Sequence, residues 1–373
     1  MKIDIVTCFE SNEERVSFIY DLCKKQGFSV KAITTDFSHR NKEKRNNVPN
    51  YFKTINTIPY KNNMSIGRLM SHKKFAKDAF IEIEKDDPDL IWVVAPALSL
   101  IKEANIYKQN HNCKIIIDII DMWPESLPLG SLKKLFPFKL WKKIREDNIN
   151  VADEVVTECD LYQEILSKEY KGKLTTLYWT KDVFLTRKEV VENDVLNLCY
   201  IGSINNIIDI DLIKKIIKKF NRNVVLDIIG FGEKTEEMVS KLKDVCKVIY
   251  HGPIFDETEK EKIISKCLAG INIYKKDLYI GLTVKSMDYL RYGLPIINNI
   301  KGDTYNFVEK YNIGINVDET KDIDENKLIE MRNNSQNITD FYNMTPIWEV
   351  CYCQCFRKRA SAQLWNALPK PYL

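Results

Sequence analysis

Lys285 and Asp288, three residues apart, are the pair in this chain whose types and spacing most clearly suggest chemistry. Side chains at i and i+3 project from one helix face. Both lie in Tyr279–Ile297, YIGLTVKSMDYLRYGLPII. A Gly-containing loop, Ile280–Thr283, opens a short helix there, the helix stops at Gly293, and Pro295 starts an apolar run. A helix N-terminus offers unbonded backbone N–H groups and a partial positive charge, which together suit a phosphate. Lys285 in the first turn opposes the helix dipole but favours a bound diphosphate. Asp288 has the acceptors to take two neighbouring ribose hydroxyls. This is the chemistry of a nucleoside-diphosphate clamp, with Gly281, Leu282 and Thr283 as its loop. The alternative is a surface helix with a Lys and an Asp on its wet face. The stretch alone does not choose between them.

Three further turns carry Gly where a strand gives way to a loop: Gly202-Ser203, Gly230-Phe231-Gly232 and His251-Gly252-Pro253. Gly lets the backbone turn and approach a ligand closely, although simple turn chemistry explains any one of them. Phe231 could flank a nucleobase or could pack. In the first half, DIIDMWPES (118–126) places Asp118 and Asp121 at a strand end. Carboxylates there reach a cleft rather than the core. Asp118 reads as a structural partner of a loop N–H, and Asp121 as a group that touches substrate. Trp123 either stacks on a sugar or packs, and Glu125 shapes the same loop.

The elements that must position these groups follow from periodicity. IDIVTC (3–8), FSVKAITT (28–35), DLIWVV (89–94), KIIIDII (114–120), EVVTE (154–158) and KLTTLYW (173–179) read as strands. Helical patterns at 12–26, 66–85 and 98–111 lie between them. After a polar stretch the alternation resumes at VLNLCYIGS (195–203), with strands at 224–230, 247–252, 269–274 and 313–317. Helices are expected at 208–220, 233–244 and 257–267. Such alternation implies α/β architecture with parallel, doubly wound sheets. We expect two Rossmann-like domains facing across a cleft: 1–180, a linker at 181–194, and 195–345. The tail at 346–373 changes composition abruptly and is left out of the fold. Residues 320–345 read as a polar helix or two.

The 373 residues suffice for two domains, and 45% apolar and 29% charged residues are those of a soluble globular protein. A net charge of +4 is too mild to argue for nucleic acid. No apolar run approaches the ~20 residues that span a bilayer. MKIDIVTCFE lacks a signal-peptide core and reads as a first strand. Of ten cysteines, seven are scattered singly in apolar patterns, as buried thiols of a reducing compartment would be. Cys351, Cys353 and Cys355 alternate in a way unlike common zinc patterns, so no metal is expected.

Together these residues resemble the retaining nucleotide-sugar glycosyltransferases of the GT-B fold, in glycosyltransferase family four. The resemblance runs to about residue 345. DIIDMWPES is similar to that family's D-x-x-D-x-W-P, and KSMDYLRYGLP to its K-x-x-E-Y-x-x-x-G-x-P. YIGS, IIGFGE and YHGPI fall in the expected order. The bacterial polysaccharide-assembly members look closest, and Asp36-Phe37-Ser38-His39, followed by Lys42 and Lys44-Arg45, is similar to text found in them.

The resemblance implies that the second domain binds a nucleoside-diphosphate sugar. Lys285 contacts the diphosphate, Asp288 the ribose, and Gly202 and Ser203 lie near the phosphates. The Gly230, Phe231, Gly232 and His251 loops complete the donor side. The first domain binds the acceptor, with Asp121 facing the transferred sugar. No metal or cofactor beyond the donor is implied. Departures are equally specific. The ribose carboxylate is Asp288 rather than Glu, and Ile280 stands about where an acid facing the sugar is usual. GSINNIIDID lacks the Arg and Lys that often follow the first loop of the second domain. TCFESNEER replaces a Gly-Gly loop, with Arg15 as a substitute anion contact. Asp209 and Asp211 start a helix, where carboxylates suit the dipole, and are not taken as metal ligands.

Two basic faces bear on partners. Lys133, Lys134, Phe136, Phe138, Trp141, Lys142, Lys143 and Arg145 form one; His72, Lys73, Lys74, Phe75 and Lys77 form the other. Each is either a solvated face with its aromatics in the core or a surface that rests on anionic lipid. The expectation is a cytoplasmic enzyme on the inner face of the membrane, acting on a lipid-linked or other saccharide acceptor in surface-polysaccharide synthesis. Two rivals are a sugar-nucleotide epimerase of the same fold and a non-catalytic partner subunit.

Overall fold

A computed structural model describes residues 1–63, 65–127, 135–178, 195–276, 278–320 and 322–333. The expected linker at 181–194, the tail at 346–373 with its three alternating cysteines, and the end of the polar helix lie outside the described residues.

The chain divides into two compact units. Of the described residues, the first unit holds those within 1–178 together with those within 275–282 and 301–303, and the second holds those within 195–274, 283–300 and 304–333. The division is therefore interleaved, where two contiguous blocks were expected.

The first unit holds β1 (Lys2–Thr7), α1 (Glu13–Lys25), β2 (Ser29–Thr35), a short antiparallel hairpin of β3 (Phe37–Ser38) and β4 (Glu43–Lys44), and β5 (Phe52–Ile55). Then follow α2 (Ile66–Glu84), β6 (Leu90–Ala95), α3 (Leu98–Asn110), β7 (Lys114–Ile119), α4 (Phe136–Asn148), β8 (Glu154–Thr157), α5 (Asp160–Leu166) and β9 (Lys173–Thr176). Its seven-stranded sheet has the order β5-β2-β1-β6-β7-β8-β9, and its registered pairs are parallel. A parallel sheet is covered on both faces, which is why its strands are near-continuously apolar. Ile3, Ile5, Ile91, Val93, Ile115 and Ile117 are fully buried.

The second unit holds β10 (Val195–Ile201), α6 (Ile210–Ile217), β11 (Asn223–Ile229), α7 (Thr235–Lys243), β12 (Lys247–Gly252), α8 (Glu257–Ile264) and β13 (Ala269–Asn272). It continues through α9 (Val284–Arg291), β14 (Ile296–Asn298), α10 (Asp303–Tyr311, whose first residue counts with the first unit), β15 (Gly314–Asn316) and α11 (Glu325–Asn333). Its six-stranded parallel sheet has the order β12-β11-β10-β13-β14-β15. The order reverses beside β10, so loops leaving β10 and β13 diverge. Ligands of open α/β sheets bind at such a switch, beyond the carboxyl ends of the strands.

Candidate functional site

The second unit is built around α9. Thr283 caps it: its Oγ1 accepts the backbone N–H of Ser286 at 3.0 Å. At the other end Gly293, at φ 68°, makes the left-handed turn that L side chains resist. Arg332, from α11, donates to the Gly293 carbonyl at 2.8 Å. Tyr289 fixes the helix on the sheet. Its hydroxyl donates to the Ile271 carbonyl and accepts the Ile201 N–H, at 2.9 and 3.0 Å. Gly270 makes this possible, because a Cβ there would lie 2.4 Å from the Tyr289 ring.

So anchored, α9 aims Lys285 inward. Only 6% of the residue is exposed, and among the described residues Nζ has no hydrogen-bond partner. Nζ lies 3.7 Å from the centroid of the Tyr200 ring and 5.0 Å from that of Tyr274. Burial pushes the ammonium pKa well below its ordinary value, against a smaller opposing pull from Asp288. A buried amine beside two rings, at the positive end of a helix, gains most from an anion. Gly202 is next to it: a Cβ on Gly202 would lie 3.5 Å from Lys285 Cε. Asp288 is half-buried, one turn along.

The three Gly turns come together as the sequence suggests. Gly202 N–H donates to the Ile229 carbonyl and Gly230 N–H to the Gly252 carbonyl, both at 2.8 Å. All three glycines have positive φ. A Cβ on Gly230 would stand 2.0 Å from the Gly202 carbonyl oxygen, so the rim here is backbone against backbone. Gly232 is packed as closely on Ile204, Ser203 is exposed, and Phe231 is 46% exposed at the tip of its loop.

His251 is half-buried, with its Nε2 2.7 Å from Asp227 Oδ1. Gly281 and Leu282, expected in the clamp, count with the first unit and are buried, Gly281 against Cys159 and Asp303. Of the three loop residues expected in the clamp, Thr283 alone counts with the second unit, where it caps the helix that carries Lys285. Asp209 caps α6 by accepting the Leu212 N–H at 2.9 Å, and Asp211 pairs with Lys241 at 2.9 Å.

The sequence analysis missed a side-chain ladder beneath α9. Asn272 Nδ2 donates to Asn298 Oδ1 at 2.9 Å, and Asn298 Nδ2 to Asn316 Oδ1 at 2.7 Å. These asparagines are register partners across β13, β14 and β15, and all are buried. Thr283 Oγ1 donates to Asn272 Oδ1 at 3.0 Å, which ties the cap of α9 to the ladder. The signal was present: the three strands all end in Ile-Asn.

In the first unit, Asp118 and Arg15 form a buried bidentate ion pair, Nε to Oδ2 at 2.7 Å and Nη2 to Oδ1 at 2.8 Å. Trp92 Nε1 also donates to Asp118, at 3.2 Å. Arg15, read as a substitute anion contact, and Asp118, read as a strand-end carboxylate, are thus joined in the interior. Glu125 is likewise structural: it takes the buried Arg145 guanidinium, with Glu169 on the other side. Lys142 joins the same cluster, so this part of the expected basic face is internally neutralised. In the other stretch His72 and Phe75 are buried while Lys73, Lys74 and Lys77 are exposed, the pattern of a solvated face with its aromatics in the core.

Asp121 is only partly buried. Desolvation raises its pKa to about 7, and Arg68 opposes that rise. Trp123 packs: its ring is 5.5 Å from Phe9, 6.3 Å from His72 and 5.8 Å from Trp141. The Arg68 guanidinium lies over it at 4.5 Å. Arg68 was not singled out from the sequence. A lone Arg in a helix carries no spacing signal, and only the fold brings it to Asp121.

No protein-family model matches the sequence, and no curated protein does. Solved structures match by fold. Sucrose-phosphate synthase from Thermosynechococcus elongatus superposes with a TM-score of 0.70 at 13% identity, over 96% of this chain and 100% of that one. HepE from Anabaena, in complex with UDP and glucose, gives 0.62 at 12% identity, over 94% and 99%. A TarM variant from S. aureus, in complex with Fondaparinux, alpha-GlcNAc-glycerol and UDP, gives 0.57 at 12%, over 92% and 95%. The likeness is one of fold, and the fold is the two-sheet GT-B architecture of glycosyltransferases.

Proposed function

We propose that the chain is a glycosyltransferase. It moves a sugar from a nucleoside-diphosphate donor, held by the second unit, to a saccharide acceptor held by the first. The observation that carries this is Lys285: a buried amine without a hydrogen-bond partner among the described residues, in the first turn of α9 and against Gly202. Lys285 and the α9 N-terminus neutralise the leaving diphosphate, so the chemistry proceeds without a metal. Asp288 takes the ribose hydroxyls, the Gly202, Gly230 and Gly252 turns let the backbone approach the donor, and Phe231 flanks the base. Asp121, at the end of β7, faces the reacting sugar. Transfer proceeds with retention onto a lipid-linked acceptor of a bacterial surface polysaccharide. UDP-sugars come first among donors, because HepE was solved with UDP-glucose.

The test is a panel of UDP-, GDP- and dTDP-sugars with lipid-linked saccharide acceptors, followed by nucleotide release. Acceptor-dependent release supports transfer. Donor conversion without acceptor points to the epimerase, and failure to bind any nucleotide points to the non-catalytic partner.

Contact with a membrane surface is part of the proposal. Leu135, Phe136 and Leu140 are exposed at the start of α4, Phe136 to 75%, and Lys139 and Lys143 are exposed on the same turns. Apolar groups beside lysines suit an anionic interface, at ~1 kcal/mol per charge. No described helix is long and apolar enough to cross a membrane. Absence of co-sedimentation with anionic liposomes at low salt would remove this part of the reading.

A further inference from the structure

Beyond the strand ends of the first unit lies a cluster of charged and polar groups that the donor chemistry does not use. Arg68, in the first turn of α2, lies over the Trp123 ring at 4.5 Å and the Phe9 ring at 5.5 Å. Its Nη1 donates to the Asn63 carbonyl at 3.0 Å, while Nε is buried without a partner among the described residues. His72, one turn on, is 3% exposed, and among the described residues its buried Nε2 also has no partner. Lys42 reaches in from the β3–β4 hairpin. It donates to the His39 carbonyl and Asn63 Oδ1, with Nζ 4.6 Å from the Tyr60 ring centroid.

Among the described residues neither Arg68 nor Lys42 has a carboxylate within 4.0 Å. Two carboxylates are nearby. Glu10 Oε1 accepts from Ser38 Oγ and the Arg40 N–H, both at 2.9 Å, and its buried Oε2 has no partner among the described residues. Asp121 is the other, and Arg68 pulls on its charge. His39 adds no charge, since its Nε2 is 2.7 Å from the Cys8 carbonyl oxygen and burial drives its pKa down to about 4. Burial and then Arg68 also lower the pKa of His72 and Lys42, the direction an unneutralised cation produces. The floor is aromatic, and a cation over such a floor acts through a lower dielectric than water. Two orphaned nitrogens and one orphaned carboxylate oxygen call for a ligand with both an anionic group and hydroxyl donors.

We propose that Arg68, His72 and Lys42 form an anion subsite for the acceptor, so that the acceptor is an acidic saccharide whose carboxylate or phosphate sits on Arg68 and one of whose hydroxyls donates to Glu10. This rests on the reading of the first unit as the acceptor side. Arg68 selects among acceptors here, and donor binding does not depend on it.

The test uses the full chain and ligand-observed NMR titrations of glucuronate, glucose 6-phosphate, glucose and inorganic phosphate, with UDP titrated separately. At least one charged sugar should bind about tenfold more tightly than glucose, and Arg68→Gln should remove that preference while leaving UDP affinity unchanged. Saturation by glucuronate alone assigns a carboxylate, and by glucose 6-phosphate alone a phosphate. Lys42→Gln, at the edge of the cluster, should weaken the charged sugar several-fold and serves if Arg68→Gln does not fold. Glucose matching the charged sugars, inorganic phosphate matching them, or unchanged binding in both variants overturns the proposal. UDP binding without charged-sugar binding overturns the subsite and spares the donor reading. Charged-sugar binding without UDP binding supports the subsite and sinks the donor reading.

Discussion

Lys285 Nζ stands 3.7 Å from the centre of the Tyr200 ring, and no hydrogen-bond acceptor among the described residues holds its proton. Its folded pKa lies below the 10.5 of an ordinary lysine. Between the two values the unfolded chain binds the extra proton, so stability of the ligand-free protein rises with pH through that window. A bound diphosphate reverses the preference. UDP binding should therefore take up a proton, and its affinity should fall in alkaline solution. Calorimetry in two buffers of different ionisation heat reads this directly, and identical heats would sink the idea.

Replacing that amine separates stability from function. Lys285→Met should weaken UDP by at least about tenfold, yet raise the melting point of the ligand-free protein by about 2–4 °C per kcal/mol of relieved desolvation. Thermal melts with and without UDP provide both numbers. A variant that melts lower without ligand would contradict the burial argument.

Asp121 titrates the opposite way. Its folded pKa of about 7 exceeds the ordinary 3.8, so the folded state holds a proton that the unfolded state has lost. Its contribution to stability is full below 3.8 and lost as pH rises to about 7. Asp121→Asn does not titrate. The stability of this variant relative to the parent should climb through that interval and level off above it. Urea titrations at several pH values give the curve, and a flat difference would remove the shift. Arg68→Gln should extend the climb to higher pH, because Arg68 holds the folded value down.

The Asn ladder is a support for α9. Asn298→Ala would leave the side chains of Asn272 and Asn316 and the Ile300 N–H, which donates to Asn298 Oδ1 at 3.2 Å, short of a partner. Each buried orphan costs about 1–3 kcal/mol. Thr283→Ala removes the cap, for about 1 kcal/mol, and with it the bond to Asn272 Oδ1. Both should also weaken UDP, because the cap sets where Lys285 points. Loss of stability with UDP affinity intact would confine the ladder to the core.

Arg15 and Asp118 make the contrasting case. Truncating either partner of a buried, bidentate pair leaves the other charge stranded, at about 3–5 kcal/mol. Arg15→Ala should therefore lower the denaturation midpoint strongly. A joint Arg15→Met, Asp118→Leu change should recover much of the loss. If the joint variant is no more stable than Arg15→Ala, the pair is not a simple structural one.

The sheets were legible because buried parallel strands are written in runs such as KIIIDII, and the Gly turns because a positive φ demands that residue type. β5 was missed: FKTI is four residues with a polar middle, too short for a periodic signal. α4 was read as a basic face because Arg145 and Lys142 look solvated in sequence. Only the fold brings Glu125 and Glu169 to them. Lys285 was found from its place in a first turn, whereas Arg68 and the asparagines were not, since their meaning lies in partners distant along the chain. The same holds for Arg15, whose partner Asp118 is 103 residues away.

The asparagine ladder has a consequence for how this sequence can change. Its rungs are 26 and 18 residues apart in the chain, yet each uses its neighbour's amide. No single rung can be exchanged for an apolar residue without stranding another, so an apolar replacement must arrive at all three together. The three positions should drift as one inherited unit among descendants of this gene, and the loop that presents Lys285 is shielded from piecemeal variation by hydrogen bonds that never touch a substrate.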